Sequence, residues 1–81
     1  MSYRPFVETL VKSVVEFPDQ VEIEEESDHG TRTFHIHCHA EDVGKVIGKS
    51  GRVVSAIRCV VSAVAAKSKE KAFVKVVTDD A

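Results

Sequence analysis

An 81-residue chain that is 43% hydrophobic and 30% charged, with four glycines and two prolines, reads as a single small globular domain over 1–81, not as a low-complexity or collagen-like segment. Two cysteines are too few for a disulfide framework. There is no signal-peptide core or run near the roughly 20 apolar residues that span a bilayer, so the expectation is a cytoplasmic protein, away from the membrane, with Cys38 and Cys59 reduced. A formal net charge of −2, taken whole, counts against a nucleic-acid ligand.

Phe6, Val7, Leu10, Val11, Val14 and Val15 recur at helical spacing and predict an amphipathic helix over 4–16, with Pro5 in its first turn and Pro18 barring continuation. Val21 and Ile23 alternate with Glu22 and Glu24, a strand with one wet face. Ser27–Gly30 is a turn cluster. Residues 31–39 alternate again, with Phe34, Ile36 and Cys38 on one face and His35, His37 and His39 on the other, so the two runs read as an antiparallel hairpin. Glu41 and Asp42 offer acidic groups to a helix N-terminus. A short helix then carries Val43, Val46 and Ile47 and stops at Gly48-Lys49-Ser50-Gly51. A long helix over 51–67, a charged turn over 68–71 and a strand over 73–77 complete an α+β order.

The charge is segregated. Residues 1–42 sum to −7 and residues 43–75 to +7, Asp79 and Asp80 leaving the overall −2. Lys45, Lys49, Arg52 and Arg58 lie in a stretch, 43–58, that holds no acid. Two explanations stand: a solvated basic helix face, or a face that binds a polyanion.

The glycine turn bears on that choice. Gly48 and Gly51 allow a sharp turn and leave no Cβ to hold a ligand's backbone away. The long helix aims its unsatisfied N–H groups at the same spot. Lys49, Ser50 and Arg52 add charged and hydroxyl donors, with Lys45 and Arg58 flanking, which together describe a phosphate-backbone clamp. The run from Gly44 to Ser50 imitates a P-loop, but that motif needs four residues between its glycines and a preceding strand. Here there are three residues, and a helix comes before.

Val46-Ile47-Gly48-Lys49-Ser50-Gly51-Arg52-Val53-Val54 resembles the V-I-G-x-x-G-x-x-[IV] signature of KH domains. The element order is similar to the type II, prokaryotic form of that fold, α-β-β-α-α-β with a three-stranded sheet packed against three helices. Glu41–Lys45, Ala56-Ile57-Arg58 and the Ala-rich stretch 63–67 fit the small stand-alone bacterial KH proteins of the KhpA family. The resemblance implies that Gly48–Gly51 clamps about four nucleotides of single-stranded RNA by their backbone. It implies a base groove lined by Val46, Ile47, Val54 and Ile57. Val53 and Ser55 stand where relatives often carry a polar and a basic residue, which implies a weaker cationic rim. It further implies post-transcriptional or RNA-chaperone work linked to cell shape and cell wall, with a KhpB-type (Jag or EloR) partner.

Other constellations weigh less. His35, His37 and His39 recur every second residue, about 6.6–7 Å apart, which fits a solvated strand face, a pH-sensitive surface or a weak metal site. The two cysteines read as packing residues. Of the aromatic residues, Tyr3, Phe6, Phe17, Phe34 and Phe73, the phenylalanines mostly fall at core-facing positions, so no stacking platform is expected. On the long helix Val53, Val54, Ile57, Val61 and Val64 form an inward arc. Ala56, Cys59, Val60, Ala63 and Ala66 extend the apolar surface round it, to meet either the first helix or a second chain. No catalytic set, metal site or cofactor site is visible: Ser50 and Ser55 have no histidine base at a defensible spacing. The expectation is a non-enzymatic RNA-binding protein, the rival being a protein–protein adaptor with the same fold.

Overall fold

In the computed structural model, which describes residues 3–77, β2 (Thr31–His37) is the central strand of a three-stranded sheet. It pairs antiparallel with β1 (Glu22–Asp28) and parallel with β3 (Lys71–Val76). The antiparallel pair needs only the two residues His29 and Gly30, both at positive φ, as the turn that matches strand twist requires. A parallel pair instead needs a crossover of a dozen or more residues. Here the crossover is α2 (Val43–Ile47), the glycine turn and α3 (Arg52–Lys67), so the turn sits between two helices tied to one sheet. α1 (Arg4–Lys12) completes the helical layer.

The helices supply Val7, Val11, Val46, Ile57, Val61 and Ala65 to a core whose other side is Ile23, Phe34, Ile36 and Ala72 of the strands. Alternation along the strands puts Glu22, Glu24 and Glu26 of β1 and Lys71, Phe73 and Lys75 of β3 on the opposite, exposed face. The architecture is the α+β arrangement of a three-stranded sheet and three helices expected from the sequence. No helix among the described residues is long and apolar enough to cross a membrane.

Some expectations change. α1 ends at Lys12 instead of running to residue 16, because the chain leaves the helix to meet a distant carboxylate. Asp42, 0% exposed, accepts hydrogen bonds from the backbone N–H of Glu16 (3.1 Å) and Phe17 (3.0 Å). It therefore holds the α1–β1 connection against the start of α2 and makes no side-chain cap on α2 itself. The same carboxylate adds to the effect of burial in pushing the Cys38 thiol above its ordinary pKa. Of the phenylalanines only Phe34 is a core residue; Phe6, Phe17 and Phe73 are exposed. Phe17 instead stacks on His39, ring centres 4.3 Å apart.

At the far end, the Arg32 guanidinium lies between Glu25 and Glu70, 2.6 Å from the latter, and 5.0 Å from the centre of the Tyr3 ring. The hydrogen bond to Glu70 and then that to Glu25 raise its pKa further. The Tyr3 hydroxyl donates to Ser68 Oγ at 2.8 Å, so this cluster fastens the first helix to the α3–β3 turn.

Candidate nucleic-acid interface

The Gly48–Gly51 turn is built from backbone conformations that side chains resist. Gly48 takes φ 77°, ψ 171°, and Gly51 takes φ 72°, ψ 16°. Between them Ser50 is itself left-handed, at φ 57°, ψ 28°. The Gly48 N–H donates to Gly44 O at 2.8 Å, closing α2, and the Gly51 N–H donates back to Gly48 O at 3.1 Å. α3 then starts at Arg52 with no side-chain cap and no acid in its first turn, so no side chain of that turn offsets its positive end.

Lys49 and Ser50 form the exposed tip, and Arg52 is exposed in the first turn of α3. At 100° per residue, Val54, Arg58 and Ser62 run down one flank of α3. The Ser62 hydroxyl donates to Ala72 O of β3 at 3.4 Å, so this flank faces the β3 edge. Arg58, exposed, lies one turn nearer the glycine turn on that side. Arg52 points about 120° away round the helix, toward the outward face. Lys49, Arg52 and Arg58 make no ion pair among the described residues. Lys45 does: its Nζ is 2.9 Å from Glu16 Oε1 and 3.9 Å from Asp42 Oδ1, so part of its charge is spent within the chain.

The four residues expected in the base groove divide by burial. Val46 is 0% exposed and Ile57 is 6% exposed; both are core residues, so neither offers a base the surface that the sequence led one to expect. Ile47 and Val54 are half-buried and stand outside the core, one on each side of the turn. β3, which the Ser62–Ala72 bond places beside α3, adjoins this flank, a neighbour the sequence signalled only through the β2–β3 pairing that the crossover permits.

The second apolar face of α3 lies outward. Ala56, Cys59, Val60, Ala63 and Ala66 are all exposed, and α1 does not cover them. Cys59, Val60, Ala63, Val64 and Lys67 line a shallow apolar depression there. The inward arc is Ile57, Val61 and Ala65, with Val53 and Val64 partly buried against it; Val54, expected in that arc, is half-buried outside the core.

On the outer sheet face, His37 Nε2 lies 2.7 Å from Glu24 Oε1 and His35 Nε2 lies 3.4 Å from Glu26 Oε1. These are close approaches without hydrogen-bond alignment. His39 turns away, its Nδ1 accepting from the Glu41 N–H at 3.0 Å. Among the described residues no three His, Cys, Asp or Glu gather where they could hold a metal ion.

A mixed three-stranded sheet whose parallel pair is joined through helix, GxxG turn and helix is the architecture of a KH domain. The family model of the KhpA/KhpB KH domain matches residues 4–76, and the chain belongs to that family. It is 41% identical over 71 residues to the RNA-binding protein KhpA of Caldanaerobacter subterraneus subsp. tengcongensis, across 88% of this chain and 95% of that protein. Against the RNA-binding protein KhpA of Clostridium acetobutylicum it is 36% identical over 74 residues, 91% of this chain and 99% of the relative. The RNA-binding protein KhpA of Mycobacterium tuberculosis is 40% identical over 58 residues, 72% of each chain. No solved structure matches the chain. The family is a non-enzymatic one, in agreement with the sequence.

Proposed function

We propose that this protein binds single-stranded RNA by its backbone, with Gly48–Gly51 as the clamp and Lys49, Ser50, Arg52 and Arg58 as the phosphate contacts. The carrying observation is the turn itself: three positive-φ residues and an uncapped helix start converge where Lys49 and Arg52 have no acidic partner among the described residues. The names of the relatives, RNA-binding proteins that align along most of their length, support the same reading. Bases would lie over Ile47 and Val54, an aliphatic surface that favours little direct sequence readout. Lys45, already paired with Glu16, contributes less than its neighbours.

In this reading the protein works in the cytoplasm as a post-transcriptional regulator or RNA chaperone. Its place in cell-shape and cell-wall control follows from the family resemblance. One clamp on about four nucleotides binds weakly, and two linked clamps gain avidity. The exposed apolar face of α3 accordingly serves to pair with a second copy or with a KhpB-type chain. The test is the Lys49→Asp/Ser50→Asp variant, which should lose affinity for oligouridine while keeping its melting temperature. Wild-type binding by that variant would remove the clamp and leave the adaptor reading, which the free α3 face independently favours.

A further inference from the structure

On the outer face of the sheet, opposite the helices, register sorts the side chains into three columns. Glu24, Glu26 and Asp28 of β1 sit across from His35, Thr33 and Thr31 of β2, which sit across from Lys75, Phe73 and Lys71 of β3. Phe73 is 48% exposed, the most exposed large apolar side chain among the described residues. It stands between two exposed lysines on the same face, each about 6.6 Å away along the strand. Glu24 and Glu26 stand on β1, two strands from β3, and turn their carboxylates to His37 and His35 of the strand between; neither Lys71 nor Lys75 has an ion pair among the described residues.

We propose that Phe73, flanked by Lys71 and Lys75, is a second contact for single-stranded RNA, holding a base stacked on the ring and the phosphates on either side of it. This rests on the clamp reading, since β3 also adjoins the α3 flank beside which the clamped strand runs. An aromatic ring between cations is the pairing that non-sequence-specific single-strand binders use. The acidic column of β1 repels phosphate, which confines the strand to the β3 edge and keeps it from crossing the sheet. A strand of about four nucleotides fills the clamp alone, and only a longer one reaches round the edge to Phe73.

Tetrauridine and dodecauridine separate the two sites, the first followed by amide shifts in NMR and the second by fluorescence anisotropy. Phe73→Leu should weaken dodecauridine about tenfold, within the range of one base–aromatic stack, and leave tetrauridine unchanged. Phe73→Tyr, which keeps the ring, should bind both as wild type. Lys71→Gln/Lys75→Gln should lower the salt slope for dodecauridine by about 1.4, two single-strand phosphate contacts. Unchanged dodecauridine binding by both the Leu and the double Gln variants overturns the proposal, as does equal loss on the two oligomers. Loss of self-association with RNA affinity intact also overturns it and assigns the face to protein contact. Failure of the clamp reading looks different: Lys49→Asp/Ser50→Asp would then bind tetrauridine as wild type.

Discussion

Gly48 and Val53 approach so closely that a Cβ built on the glycine would overlap Val53 Cγ2 and stand 2.7 Å from the Val53 backbone nitrogen. The glycine turn is thus packed down on the first turn of the helix that follows it. The glycines of the crossover should therefore respond differently to alanine. Gly48→Ala meets both the clash and a φ of 77°, and should cost about 2–4 kcal/mol or open the turn. Gly51→Ala has open space around it and should cost only about 1–2 kcal/mol for its left-handed φ of 72°. Gly44→Ala is helical with nothing within 4 Å, and should stabilise by about 0.5–1 kcal/mol. Chemical denaturation of the three variants checks the order; equal losses at Gly44 and Gly48 would refute it.

The cations around the turn should also separate. Lys49→Ala should lower the salt slope of oligouridine binding by about 0.7, one single-strand phosphate contact. Lys45→Ala removes a side chain already held 2.9 Å from Glu16, and should change affinity less than about twofold. Fluorescence anisotropy across a salt series measures both. A larger loss at Lys45 than at Lys49 would mean that Glu16 releases its partner to the RNA.

The element order was legible because the periods of 3.6 and 2 are written plainly in the valines of α1 and α3 and in the alternation of β1 and β2. The glycine turn was legible because glycine at both ends of a four-residue link between helices has few other uses. What escaped the sequence depends on contacts between distant residues. The early end of α1 is set by Asp42, 26 residues beyond Glu16, and the same fold brings Glu16 to Lys45. The burial of Val46 turns on the phase of α2, a five-residue helix too short to show which side is inward, and Val54 is left half-buried outside the core although its spacing put it on the inward arc of α3. Phe73 looked like core because strand alternation gives two faces without saying which one the helices cover.

Asp42 should prove the costliest single polar change. Its two oxygens take the backbone N–H groups of Glu16 and Phe17, and its side chain is fully buried. Asp42→Ala leaves those donors without a partner and opens a hole beside Cys38, for about 2–4 kcal/mol. Asp42→Asn keeps one acceptor oxygen but turns an amide toward the second donor, and should recover only part of that loss. Thermal unfolding of the pair decides the matter. If alanine and wild type melt together, the α1–β1 connection is held by its valines alone.

Val60 and Val61 are neighbours in sequence with opposite surroundings, the first 44% exposed on the outward face of α3 and the second 1% exposed in the core. Val61→Asp buries a charge and should prevent folding. Val60→Asp should leave the melting temperature of the monomer nearly unchanged and, if the outward face is the pairing surface, shift sedimentation from dimer to monomer. Cysteine labelling gives an independent view of the same face. Cys59 is exposed, whereas burial raises the Cys38 thiol pKa and lowers its thiolate fraction at neutral pH. In dilute protein iodoacetamide should therefore modify Cys59 well before Cys38, and raising the concentration should slow only Cys59. A wild-type protein that stays monomeric at high concentration, alone and with a KhpB-type chain, and whose Cys59 reacts at one rate throughout, would leave this face without a partner.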